Sequence, residues 1–158
     1  MKKKVYIASP YSHGDVGKNV KLQMDTAIIL IDNGYVPFVP LLNHFLHMAN
    51  PRKEEVWMDY DMEWLNSCDI LLRLPGKSPG ADAEVRAARL RAMPVYHSLY
   101  SLMSADGFKR SEIPNSARES LEISSASEQV SQTREFQEYF ENSLIEYDGL
   151  YEKLSEGE

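Results

Sequence analysis

Along the first hundred residues the apolar positions alternate between short unbroken runs and stripes at helical spacing. "KVYIAS" (4–9), "YVPFVP" (35–40), "DILLRL" (69–74) and "PVYHSL" (94–99) are rich in β-branched, aromatic and aliphatic side chains and are set off by Gly, Pro, Asp or Ser, as buried strands are. Between them the period lengthens. In "KNVKLQMDTAIILIDNGY" Val20, Met24, Ala27, Ile28 and Ile31 share a face, and Gly34 follows as the expected helix stop. "PRKEEVWMDYDMEWLNSC" repeats the pattern with Val56, Trp57, Tyr60, Trp64 and Leu65, and Pro51 suits a helix start. "GADAEVRAARLRAM" is a third amphipathic stretch. Strands that alternate with helices predict an α/β fold of flavodoxin or Rossmann type: an open, mostly parallel sheet of four to five strands with helices on both faces.

The texture changes after Leu102. A Ser/Glu-rich stretch with few large apolar residues follows, and "TREFQEYFENSLIEYDGLYEKL" then recovers a helical stripe with Phe136, Phe140 and Leu144. The expected organisation is an α/β domain over 1–104, a linker over 105–132 and an acidic helix and tail over 133–158. Charge follows the same division. Residues 1–105 carry 12 Lys/Arg against 11 Asp/Glu, while residues 106–158 carry 5 against 13. A near-neutral body with an acidic tail lacks the basic surface that nucleic acid requires. No apolar run reaches the length of a membrane span, and "MKKKVYIASP" reads as the approach to a strand rather than as a signal peptide. The single cysteine, Cys68, fits a reducing, cytoplasmic setting, and no Cys/His spacing suggests a metal.

Candidate chemistry gathers where the strands end, the usual place for ligands in open α/β sheets. In "GKSPGADAE" Gly76 and Gly80 permit close backbone approach, Ser78 offers a hydroxyl, and the N–H groups opening the next helix favour an anion. The same residues also make an ordinary N-cap followed by first-turn acids, Asp82 and Glu84. Asp61 shares a helix face with Trp57 and Trp64, an apolar setting that raises a carboxyl pKa, as a general acid needs. Asp59 and Glu63 fall on other faces, and Asp69 reads as structural. Tyr6 lies inside the first strand and Ser9 at its end. Asn43, His44 and Phe45 lie in or beside the second crevice loop, "PLLNHF", with side chains suited to flank a planar base. Two carboxylates in different surroundings suggest one nucleophile and one acid, the logic of retaining glycosidic cleavage.

Tyr6 in a strand, Asp61-Met62-Glu63-Trp64-Leu65 with Asp69 feeding the next strand, and Ser78-Pro79-Gly80-Ala81-Asp82-Ala83-Glu84 opening a helix together resemble the nucleoside 2-deoxyribosyltransferase family. The branch it looks nearest is the 2'-deoxynucleoside 5'-monophosphate N-glycosidases. The resemblance spans about residues 4–100. It implies Glu84 as nucleophile, Asp61 as the acid assisting the leaving base, Tyr6 as the group that positions the nucleophile, and Ser78 and Gly80 as the hold on a 5'-phosphate. It further implies no metal and no other cofactor, a nucleotide or nucleoside as substrate, and a homodimer or larger homo-oligomer. Transfer between free nucleosides and a catalytically silent nucleotide-binding or interaction module are the alternative readings. The chain departs from the family in "ASPYSHG", which lacks a glycine-rich loop after the tyrosine strand.

Overall fold

Each of the four apolar runs contains a strand. The computed structural model describes residues 1–109 and 111–115. In chain order these hold β1 (Lys4–Ala8), α1 (Val16–Asp32), β2 (Val36–Phe38), a 3-10 turn (Pro40–Leu42), α2 (Asn43–Ala49), α3 (Glu54–Asn66), β3 (Ile70–Arg73), α4 (Pro79–Leu90), β4 (Val95–Tyr96) and α5 (Leu99–Ala105). The strands form one parallel sheet in the order β2-β1-β3-β4, with Tyr6 beside Phe38 on one side and Leu71 on the other. The chain therefore steps outward from β1 to β2 and then crosses back to β3. That reversal opens a crevice at the carboxyl ends of β1 and β3.

Strand alternation sorts the core into two layers. Val5, Ile7, Ile70 and Leu72 pack with Ala27 and Leu30 of α1 and with Leu99, Leu102 and Met103 of α5. Tyr6, Ala8 and Leu71 face the other way, against Leu65 of α3 and Ala81, Val85 and Ala88 of α4. Each fully buried aliphatic side chain contributes roughly 1.5–3 kcal/mol, so both layers hold the sheet firmly. The second layer contains a buried phenol, Tyr6. Phe108 and Ile113 complete the first layer beyond α5. The expected tail helix over 133–154 and most of the expected linker lie outside the described residues.

Three local expectations change. The buried face of α1 is Val20, Gln23, Thr26, Ala27 and Leu30, whereas Ile28 and Ile31 are 57% and 53% exposed. The inner stripe accepts two polar residues because both are satisfied there: Thr26 donates to the Leu22 carbonyl at 2.7 Å, and Gln23 bonds β1 and its loop. The expected strand over 94–99 shortens to Val95–Tyr96 because the Ser98 hydroxyl accepts from Ser101 N–H and caps α5. The crevice segment "PLLNHF" is a 3-10 turn running into α2 rather than an open loop. The stop at Gly34 is as expected: its φ is +85°, and Tyr35 N–H and Gly34 N–H return to the Leu30 and Ile31 carbonyls.

Candidate active site

Tyr6 is fully buried at the middle of β1, and its hydroxyl donates to Glu84 Oε1 at 2.7 Å. Glu84 reaches this position from α4. The helix is capped by Ser78, whose oxygen accepts from Ala81 N–H at 3.2 Å, and Asp82 is the acid of its first turn. Glu84 therefore lies past the first turn, on the side facing the sheet, and does not serve as a helix-start carboxylate. Asp61 of α3 lines the same pocket as Glu84 and accepts from Asn43 Nδ2 at 2.7 Å.

Burial raises both carboxyl groups to about 7. Desolvation is the main cause in each case. For Glu84 the Tyr6 hydrogen bond and the Arg73 charge oppose the rise, while the Asp61 charge adds to it. For Asp61 only the Asn43 hydrogen bond opposes it. Both groups therefore titrate near neutrality in one pocket, a setting in which one can be charged while the other holds a proton. Burial and the adjacent Glu84 carboxylate push the Tyr6 hydroxyl far upward, so it remains a donor.

The pocket has a volume of about 520 Å³, within the usual range for small-molecule sites. Its walls come from the loop after β1, the 3-10 turn with α2 and α3, and the start of α4. Ser9, Asn43, His44, Ser78 and Gly80 all line it. Phe45 does not; it packs edge-on against His44, ring centroids 6.0 Å apart. His44 Nδ1 is paired with the Tyr11 hydroxyl. Burial and the neighbouring His47 lower the His44 pKa. Trp64 stacks on Phe38 at 4.8 Å, which in turn lies 5.5 Å from Tyr6, so aromatic packing braces the phenol from the β2 side. Asp69 is structural, as expected: its carboxylate accepts from Lys4 N–H at 2.7 Å where β1 and β3 begin.

Two residues that shape the pocket carry weak sequence signals. Gln23 is fully buried. Its amide donates to the Ile7 carbonyl and to Ser9 Oγ, both at 2.8 Å, and accepts from Leu41 N–H at 2.9 Å. One side chain thus ties the loop after β1 to the turn after β2. Arg73 closes β3 and is only 8% exposed. Its guanidinium donates to the carbonyls of Leu74 and Gly76 and lies 3.1 Å from Asp82, holding the loop that leads into α4. The only hint in the sequence was a polar residue inside an apolar pattern. Gly76 packs this loop against the first one. Its φ is +111°, and an added Cβ would lie 2.7 Å from Pro10 Cγ. Gly76→Ala is expected to cost about 1–3 kcal/mol in chemical denaturation and to weaken ligand binding at the α4 end of the pocket.

Fold and site together define an open parallel α/β domain with two desolvated carboxyl groups in one pocket, beside the point where the strand order reverses. A family model described as a domain of unknown function (DUF7768) matches residues 3–98, and the chain belongs to that family. No curated protein matches it. Among solved structures, a 2-deoxyribosyltransferase from the psychrotolerant bacterium Bacillus psychrosaccharolyticus is similar over 70% of this chain and 96% of its own, with 19% identity and a TM-score of 0.48.

Proposed function

We propose that this protein hydrolyses the N-glycosidic bond of a nucleoside or deoxynucleoside 5'-monophosphate. The reading is carried by one arrangement: Glu84 held by the Tyr6 hydroxyl, with Asp61 beside it in the same pocket. The sequence resemblance to nucleoside 2-deoxyribosyltransferases supports the same roles. In the first step a Glu84 carboxylate oxygen attacks C1' of the sugar. The C1'–N bond breaks, its electron pair passes to the base nitrogen, and Asp61 delivers a proton to the departing base. In the second step Asp61, now ionised, takes a proton from water as the water oxygen attacks C1'. The glycosyl–Glu84 ester bond breaks, and the sugar phosphate leaves. Tyr6 keeps the attacking carboxylate aimed and releases its hydrogen bond to match the change in charge. Ser78 and Gly80, at the amino end of α4, are the proposed hold on the 5'-phosphate, because the N–H groups that open a helix favour an anion.

The test is release of free base from a panel of ribo- and deoxynucleoside 5'-monophosphates and the corresponding nucleosides, followed by chromatography. Fastest release from phosphorylated substrates is expected. Release only from free nucleosides with a second base as acceptor would make the reaction a transfer. Binding without any release would make the domain a nucleotide-binding module.

A further inference from the structure

Resting on the proposed function, we infer that Arg73 is a positioning residue for the nucleophile: it pins the opening of α4 to the sheet and supplies a buried positive charge on the face that holds Glu84. Strand parity places it there. The sheet pairs Ala8 with Arg73 two residues beyond Tyr6 and Leu71, so Arg73 faces the α4 layer, on the same side as Tyr6. The guanidinium donates to the Leu74 carbonyl, to the Gly76 carbonyl at 2.7 Å and to Asp82 Oδ1 at 3.1 Å. One side chain thus gathers the end of β3, the loop that follows it and the first turn of α4. Glu84 lies just beyond Asp82 on that helix.

Hydrogen bonds alone do not account for a cation at this place. Burying a guanidinium is costly, and apolar side chains of similar volume in place of a buried ion pair are often neutral or stabilising. Nor is the charge cancelled within its own ion pair. The Arg73 side chain is 9% exposed and that of Asp82 56%, so water screens the carboxylate far more than the guanidinium. What remains acts inward. The titratable and charged groups that bear on Glu84 are Tyr6 from β1, Asp61 from α3 and Arg73 from β3. Burial and Asp61 disfavour a charged Glu84, and Tyr6 offers it a neutral hydrogen bond. Arg73 is the cation among these groups, and it favours the ionised carboxylate that the proposed attack on C1' needs.

The test is a titration of the Glu84 carboxyl by NMR, in protein labelled with carbon-13 at the glutamate side-chain carboxyl, with Glu84→Gln identifying the resonance. Wild type is compared with Arg73→Gln, which keeps a donor without the charge, and with Arg73→Lys, which keeps the charge without the planar fork. The wild-type midpoint is expected at about 7. In Arg73→Gln it should rise by roughly one pH unit, and in Arg73→Lys most of that rise should be absent. A residue that only braced the loop would leave the two variants alike. Equal midpoints in the two, or no rise in Arg73→Gln, overturn the inference; Arg73→Met takes the place of Arg73→Gln should that variant not fold. Base release followed alongside separates this inference from the function on which it rests. A shifted midpoint in a protein that never releases base leaves the charge of Arg73 assigned to Glu84 and removes the hydrolase reading. Base release with an unmoved midpoint does the reverse. Where both hold, the acid limb of kcat/KM moves to higher pH with the midpoint.

Discussion

Glu84→Gln is expected to lower base release by about 10⁴-fold or more while leaving nucleotide affinity within a few-fold. The two side chains have the same shape, and the amide oxygen that replaces the carboxylate can still accept from the Tyr6 hydroxyl. What is lost is the charged oxygen that would attack C1' in the proposed reaction. Stability supplies an independent check. The Glu84 carboxyl is raised to about 7 in the folded protein, mainly by burial. A raised carboxyl pKa favours the folded state while the group is protonated, and this advantage is lost as pH climbs through the folded value. Wild type should therefore lose stability relative to Glu84→Gln between about pH 5 and 8, the variant melting higher on the alkaline side. A carboxylate that merely served a helix start would show the opposite order. Retained activity in Glu84→Gln would remove it as nucleophile.

The second large effect concerns Asp61. In the proposed reaction Glu84 must be ionised and Asp61 protonated, so the active form of the pair carries one proton. The pH profile of kcat/KM should be a bell centred near 7. Its acid limb reports loss of the nucleophile's charge and its alkaline limb loss of the acid's proton. Because the two groups repel each other when both are charged, the limbs belong to the pair. Asp61→Asn keeps the contact with Asn43 through its amide oxygen but cannot protonate the base. A fall of about 10²–10⁴-fold is expected, together with disappearance of the alkaline limb. The loss should shrink for substrates whose base leaves readily without a proton. An unchanged alkaline limb in Asp61→Asn would assign the proton to another group.

The sheet was legible in the chain because its central strands, β1 and β3, are apolar on both faces and are set off by polar or turn-forming residues. The Glu84 and Asp61 candidates were visible for a related reason: each is an acid at helical spacing within an apolar or small-residue context. Gln23 and Arg73 were not, because a polar residue that is buried and fully bonded cannot be told from a solvated one by period alone. The same ambiguity misplaced the buried face of α1, where Ile28 and Ile31 compete with Gln23 and Thr26 for the inner stripe. The two short helices, α2 and α5, are each about two turns long and fall below the window in which a helical period can be recognised. Their sequences, "NHFLHMA" and "LYSLMSA", are equally compatible with loop or strand.

β1 places Tyr6 on the site face and its neighbours Val5 and Ile7 in the opposite core layer. Parity along five residues therefore decides which side of the protein holds the phenol. A single-residue insertion or deletion ahead of Tyr6 that preserved pairing with β2 and β3 would exchange the two faces, sending an aliphatic side chain toward Glu84 and a hydroxyl into the layer beneath α1. The loops after β1 and β3 are under no such rule, since their length changes reach without changing parity. Length variation in this family should accordingly be admitted at the crevice and refused in the strand beneath it.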